Sequence, residues 1–262
     1  TPYPHHFFDV VGFQRSLRRG RTNAEFGPKL LRARRAAVRL LRELQPRVIV
    51  SVGGYASMPA VLAARTLDIP VVVVSYDLRP GRASQVAARK AVASATAFPD
   101  SPLPRAELTG APVRQAILAV DRSAAGRAAA RVALGLPDDR FVVAVMGGSL
   151  GSGALNDAVA ELLDARATDT RLAVRHAVGR RFVDGARPPT DGSHGVLYQP
   201  VGYEPDMPSV YAAADLFVGR GGASTVHEVA VTGVPAILVP WAGAAEDHQT
   251  LNVRWLSDAG AA

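Results

Sequence analysis

The stretch Asp215 to Asn252, DLFVGRGGASTVHEVAVTGVPAILVPWAGAAEDHQTLN, constrains this chain more than any other. The apolar run Leu216-Phe217-Val218 reads as a buried strand, and Gly219-Arg220-Gly221-Gly222-Ala223 as a tight turn after it. Ser224 to Thr232 then reads as a short helix closed by Gly233 and Pro235, and Ala236 to Val239 returns as a strand. Strand, glycine turn and helix together make an anion site. The first-turn N–H groups have no helical acceptor, and the helix macrodipole adds partial positive charge there. Glu228 lies one turn into the helix, where its carboxylate can meet the sugar hydroxyls of a nucleotide held at the turn. The same letters admit a second reading, a capping box with Thr225 as N-cap and Glu228 reaching back.

Upstream, the chain alternates strand and helix. Phe7 to Gly12 reads as a short strand and turn, Arg15 to Arg21 as a basic loop, and Gly27-Pro28 as the opening of a helix from about Lys29 to Leu44. Along it, Leu30, Ala37, Leu41 and Leu44 repeat at helical spacing, with Arg32, Arg35, Arg39 and Arg42 on another face. Val48 to Val52, the turn Gly53-Gly54-Tyr55, a helix near Met58 to Thr66 and the strand Val71 to Val74 complete a βαβ unit, which favours a parallel sheet. A linking segment after Arg114 contains a helix from about Ser123 to Leu134. Phe141 to Met146 then begins a second doubly wound domain, with the turn Gly147-Gly148-Ser149-Leu-Gly151-Ser-Gly153 and a helix from about Ala154. A strand at Leu172 to Val174 and a helix around Ser209 to Ala214 follow. The division falls at residues 1–115 and 116–262.

That glycine turn is not the dinucleotide G-x-G-x-x-G fingerprint, and the next strand runs into Arg175-His176 rather than an acid for a ribose, so a dehydrogenase is disfavoured. The absence of cysteine excludes disulfides, thiolate metal sites and cysteine nucleophiles. The net charge of +7 rests on 30 basic residues, all arginine except Lys29 and Lys90. No aromatic residues interleave them, so nucleic acid is not expected, and anionic lipid is the better partner for the excess. The longest uncharged stretches, Val48 to Ala64 and Val229 to Ala245, are broken by glycine and proline and cannot be lipid-facing helices.

Five short motifs follow one another along the chain: Gly53-Gly54-Tyr55-Ala-Ser57, Pro112-Val-Arg114, Gly147-Gly148-Ser149-x-Gly151, Arg220-x-Gly222-Ala-Ser-Thr225-x-x-Glu228 and Asp247-His-Gln249-x-x-Asn252. In this order and spacing the chain resembles the MurG family, the glycosyltransferases that add N-acetylglucosamine to lipid I in peptidoglycan synthesis. The resemblance implies an α/β GT-B fold of two doubly wound domains facing a cleft, with this chain truncated at both ends. UDP-N-acetylglucosamine would be held by the C-terminal domain and a lipid-linked acceptor by the N-terminal one. Glu228 would then bind the ribose hydroxyls, the turn Gly222, Ala223, Ser224 and Thr225 would face the diphosphate, and Gln249 and Asn252 would hold the sugar. Arg114 and Ser149 would lie near the diphosphate, and Gly53, Gly54 and Tyr55 on the acceptor side. Simpler roles stand beside these: Ser149 as a helix cap, Arg114 in a linker ion pair, Asn252 on a helix surface.

The implied reaction displaces UDP from the anomeric carbon with inversion, at the cytoplasmic face of the bacterial plasma membrane, by a peripheral protein using no cofactor. No Asp-x-Asp pair offers a local metal clamp, so helix N-termini and Arg114 are expected to stabilise the departing charge. Two departures from the family pattern bear on the acceptor. The family's opening glycine turn with its histidine is absent, and a His-Glu-x-Asn-like stretch reads Val74-Ser75-Tyr76-Asp77, with Asp77 in the Asn position. The general base is left unassigned between that absent segment and Asp77. Other readings are a transferase for another lipid or natural product, a UDP-sugar epimerase and a non-catalytic UDP-sugar sensor.

Overall fold

The computed structural model describes residues 3–10, 20–148, 150–243 and 247–260. The chain forms two compact units, Thr1–Ala111 and Pro112–Ala262. The division falls a few residues before the one read from sequence, because Val113 packs into the core of the second unit.

In the first unit, α1 (Gly20–Leu44) packs on α2 (Met58–Thr66), and α3 (Arg82–Ala88) follows. They accompany a parallel sheet of β1 (Ile49–Ser51), β2 (Val71–Ser75), β3 (Ala93–Thr96) and β4 (Ala106–Leu108), in that order. The buried face of α1 is Ala33, Ala37 and Leu41, one residue per turn, whereas Leu44 is exposed. Small residues on that face let α1 lie close to Val61, Ala63 and Ala64 of α2. Arg32, Arg35, Arg39 and Arg42 are all exposed, as their spacing predicts.

Two expectations fail here. Gly27-Pro28 does not open α1. The helix begins at Gly20 and carries Pro28 inside it, at an exposed position. Phe7 to Val10 forms no strand, having no ladder partner among the described residues; residues 11 and 12 of that segment lie outside them, as does most of the basic loop.

The second unit contains α4 (Gln115–Leu118), α5 (Ala124–Leu134), β5 (Phe141–Met146), α6 (Gly153–Ala165), β6 (Leu172–Ala177), β7 (Thr190–Asp191), β8 (Leu197–Val201), α7 (Met207–Ala213), β9 (Leu216–Arg220), α8 (Ala223–Thr232), β10 (Ala236–Val239) and α9 (His248–Asp258). Its sheet runs β10-β9-β5-β6-β8-β7, parallel except for β7. Residues 142–146 of β5 are all buried because helices cover both faces, so the strand reads as a continuous apolar run rather than an alternating one. One face packs Val142, Ala144, Phe217, Val226 and Tyr211 against α5, α7, α8 and α9. The other packs Val143, Val145 and Val174 against Leu155, Val159 and Leu163 of α6.

A buried polar cluster lies between β6, β8 and α6. The Asn156 amide N–H donates to the Val178 carbonyl at 3.1 Å, which leaves its oxygen to accept from His176 Nε2 at 3.1 Å. His176 Nδ1 is then the acceptor for the Tyr198 hydroxyl, also at 3.1 Å. The neutral ring is fully satisfied, and burial lowers its pKa from 6.5 to about 4. The unfolded chain therefore binds a proton at His176 below pH 6.5 that the folded protein refuses until about pH 4. Stability should fall on acidification through that window, by up to about 3 kcal/mol from this residue alone. Urea unfolding at stepped pH should show the decline in the wild type and a flatter profile in His176→Gln.

Candidate functional site

The first strand of the second sheet, β5, has β6 on one side and β9 on the other. Successive connections therefore diverge at the β5–β9 boundary, and the carboxyl ends of those two strands form a topological switch point, where open α/β sheets place ligands. Both ends are glycine turns. After β5, a Cβ on Gly147 would come within 2.6 Å of the Ser152 N, and one on Gly151 within 2.4 Å of the Val178 carbonyl. Gly151 also has φ +73°, so the turn accepts no side chain at this position. Ser152 caps α6, accepting from the Leu155 N–H at 3.3 Å. Ser149 lies outside the described residues.

After β9, Arg220 joins three of these ends. Its guanidinium donates to the Ser152 hydroxyl beyond β5 and to the Val239 and Pro240 carbonyls at the end of β10, at 3.3 and 3.4 Å. Gly221 is buried between α8 and α9, where a Cβ would meet Val253 Cγ2 at 2.5 Å and the Gln249 carbonyl at 2.9 Å.

The N-cap of α8 is Gly222, with extended backbone and no side-chain cap. The first helical bond runs from the Val226 N–H to the Gly222 carbonyl at 3.0 Å, so the N–H groups of Ala223, Ser224 and Thr225 precede the ladder. This excludes the capping box: Thr225 is the third helical residue, and Glu228 does not turn back to it. The Glu228 carboxylate instead accepts from the Tyr211 hydroxyl on Oε2 at 2.9 Å and from Arg114 Nη2 on Oε1 at 3.2 Å. Its side chain is 13% exposed against 56% for Arg114, so the guanidinium keeps donors toward solvent beside a carboxylate seated in the protein. Burial first, then the Glu228 charge, pushes the Tyr211 hydroxyl above the usual phenol range, with Arg114 opposing. Tyr211 is thus a permanent donor.

Arg114 and Glu228, 114 residues apart in sequence, meet here, making Arg114 an ion-pair residue. Gln249 also borders the turn through its backbone, and its side-chain oxygen accepts from the Trp241 N–H at 2.9 Å. Asn252 is wholly buried, which rules out the surface-residue role. Asp247, in the left-handed region at φ 54°, opens α9 and accepts from the Thr250 hydroxyl at 2.6 Å. Tyr211 was not singled out from sequence, although a tyrosine in the alanine-rich core segment YAAAD carries a hydroxyl that must find a buried partner.

In the first unit, Gly53 and Gly54 have φ +86° and +73° at the carboxyl end of β1, with Ser84 Oγ 2.7 Å from a Cβ built on Gly53. Tyr55 begins the turn into α2, and Asp77 is half-buried after β2. Just before the glycines, Ser51 Oγ is the one buried side-chain polar atom without a hydrogen-bond partner among the described residues. No group of three or more potential metal ligands occurs among them.

Grooves of about 690 Å³ beside Phe141, Leu216, Val218 and Ile237, and of about 560 Å³ beside residues 187–196, lie elsewhere in the second unit. The first lies toward the amino ends of β5, β6 and β9, and its centre is apolar sheet surface. Donor chemistry, not volume, distinguishes the switch point.

A nucleotide-type switch point in a doubly wound unit defines a broad class of α/β proteins, and comparison narrows it. The glycosyltransferase family 28 C-terminal domain matches residues 142–262, and the family's N-terminal domain matches residues 1–96. The chain is 43% identical over 243 residues to a UDP-N-acetylglucosamine--N-acetylmuramyl-(pentapeptide) pyrophosphoryl-undecaprenol N-acetylglucosamine transferase of Cutibacterium acnes, covering 89% of this chain and 63% of that protein. It therefore spans just under two thirds of the relative's length. A crystal structure of Acinetobacter baumannii MurG superposes with TM-score 0.65 at 29% identity, over 97% of this chain and 69% of that one. A UDP-GlcNAc 2-epimerase from Neisseria meningitidis shares the fold alone, with TM-score 0.60 at 13% identity over 86% of this chain and 67% of that one. The chain belongs to glycosyltransferase family 28 and has its GT-B-like architecture of two α/β units, each built on a mainly parallel sheet. The resemblance read from the five motifs, to the MurG family, agrees with these relatives.

The close approach at Gly221 gives a direct test. Gly221→Ala must push Val253 or the α9 backbone away, at a cost of about 1–3 kcal/mol. Denaturant midpoints should fall accordingly, and by less in Gly222→Ala, whose Cβ meets nothing within 4 Å and which gives up only the N-cap preference of Gly over Ala.

Proposed function

We propose that this protein is an inverting glycosyltransferase that moves N-acetylglucosamine from UDP-N-acetylglucosamine to the lipid-linked muramoyl-pentapeptide diphosphate acceptor, lipid I. The observation that carries the proposal is the pairing of an uncapped helix N-terminus with a seated carboxylate one turn later. The N–H groups of Ala223, Ser224 and Thr225 suit the diphosphate, and Glu228 suits the ribose diol. The activity named for the relatives supports the same assignment.

On this reading, chemistry at the anomeric carbon needs the departing UDP stabilised as the acceptor hydroxyl attacks from the opposite face. The α8 N-terminus supplies fixed dipoles, and Arg114 has donors left over from its bond to Glu228. Fixed donors cost no reorganisation as charge develops, which is why such placement lowers a barrier. The family resemblance assigns Gln249 and Asn252 to the sugar, and Ser149, outside the described residues, to the diphosphate. The acceptor belongs with Gly53, Gly54 and Tyr55, where the orphaned Ser51 hydroxyl supports a polar ligand. Asp77 is the candidate base. The departure at Val74 to Asp77 also favours testing other lipid acceptors in the same assay.

No helix among the described residues is long and apolar enough to cross a membrane. The exposed row Arg32, Arg35, Arg39 and Arg42 supports peripheral attachment to anionic lipid at the cytoplasmic face, each arginine contributing about 1 kcal/mol near the surface. Changing all four to Gln should lower co-sedimentation with phosphatidylglycerol vesicles, and added salt should lower it further in the wild type. Binding unaffected by either change would leave α1 as scaffold only.

The ribose role of Glu228 is decided by magnitude. Loss of charge-assisted bonds worth about 1.5–3 kcal/mol should weaken UDP roughly 10- to 150-fold in Glu228→Ala, measured by calorimetric titration. Wild-type affinity in that variant would remove Glu228 from the nucleotide site.

A further inference from the structure

We infer that Tyr211 is a positioning residue for nucleotide recognition, its hydroxyl holding the Glu228 carboxylate open toward a ribose diol and away from a closed pair with Arg114. The inference rests on the ribose role proposed above and concerns what makes that role possible.

The geometry begins with competition for one carboxylate. Arginine and carboxylate prefer two parallel bonds, which would occupy both oxygens of Glu228 and leave neither for a ligand. Here Arg114 reaches Oε1 at 3.2 Å while Tyr211 donates to Oε2 at 2.9 Å. Each oxygen carries more than one lone pair, so a carboxylate fixed in this way can still accept from two neighbouring hydroxyls. A carboxylate free to rotate would relax onto the guanidinium.

Tyr211 can set that orientation only if it is itself immobile, and it is held from several directions. Its side chain is 1% exposed, with its ring centroid 5.1 Å from that of Phe217. Its backbone carbonyl accepts from Arg122, which also donates to the Ala214 carbonyl at 3.1 Å. Arg131 Nε donates to the Ala213 carbonyl at 3.3 Å, so arginines from the α5 region bind the carbonyls that end α7. At the other end Asp206 caps α7, accepting from the Ser209 N–H at 3.2 Å, and its own N–H donates to Glu204 at 2.9 Å. Glu204 is in turn paired with Arg175 at 2.8 Å. On the receiving side, the Thr232 hydroxyl donates to the Glu228 carbonyl at 2.7 Å, steadying the α8 turn that carries the carboxylate.

Tyr211→Phe removes the hydroxyl and keeps the ring. The full chain is titrated with UDP, 2′-deoxy-UDP and 3′-deoxy-UDP for the wild type, Tyr211→Phe and Glu228→Ala. The wild type should prefer UDP over each deoxy analogue roughly tenfold, Glu228→Ala should show no preference, and Tyr211→Phe should fall to roughly twofold. A purely structural tyrosine would weaken all three ligands together and leave their ratios unchanged; that result overturns the inference while sparing the ribose role. Equal ratios in wild type and Glu228→Ala overturn both. The wild type carries a second reading that needs no variant. The buried Tyr211 hydroxyl proton, observed by NMR, should move when UDP binds and stay still with inorganic pyrophosphate, and a resonance indifferent to UDP contradicts the inference.

Discussion

Arg220 is the residue on which the carboxyl end of the second unit's sheet depends. Parallel strands leave their carboxyl ends as separate loops, and nothing in the ladder holds those loops together. One guanidinium spans them, bonding the cap of α6 and the last carbonyls of β10 from its own place at the end of β9. Because its five donors lie in a rigid plane, the three ends are fixed in relative position rather than merely tethered. The glycines then follow as consequences. Gly151 passes beside Val178 and Gly221 beside α9 at distances no side chain permits, and these approaches bring the start of α8 to the switch point.

Asp215 does comparable work at the opposite end of the same strand. Its carboxylate accepts from Arg127, from Arg131 at 2.7 Å and from the Val142 N–H at 2.7 Å, joining α5, β5 and β9. Strand β9 is thus anchored by an acid where it enters the sheet and by a base where it leaves. The second anchor faces the glycine turns. This polarity suits an anion at the carboxyl ends, where a carboxylate in place of Arg220 would oppose one.

Much of this was legible in the letters. Phe141–Met146 and Ala236–Val239 were delimited correctly because unbroken apolar runs between turn residues leave little choice. The α8 helix was placed within a residue because Gly222 and Gly233 punctuate it. Short-range rules failed where a longer-range term won. Gly27-Pro28 looks like a helix start, yet α1 runs through it, and Leu44 fits the apolar spacing but lies beyond the α2 contact. At the site, the Thr225–Glu228 spacing suggested a local cap, whereas the partners of Glu228 are Tyr211, on the preceding helix, and Arg114, at the start of the unit. Neither distance is written in a local pattern; both follow from the order of strands.

The proposed function puts a nucleoside diphosphate at the β5–β9 switch point, with its phosphates on the first turn of α8 and its ribose on Glu228. Amide chemical-shift mapping of the isotope-labelled protein during a UDP titration tests it most directly. The largest saturable shifts should fall on the N–H groups of Gly222 to Thr225 and on the Arg114 side chain, with little change around the groove beside residues 187–196. Saturable shifts centred on that groove, with the α8 turn unmoved, would contradict it.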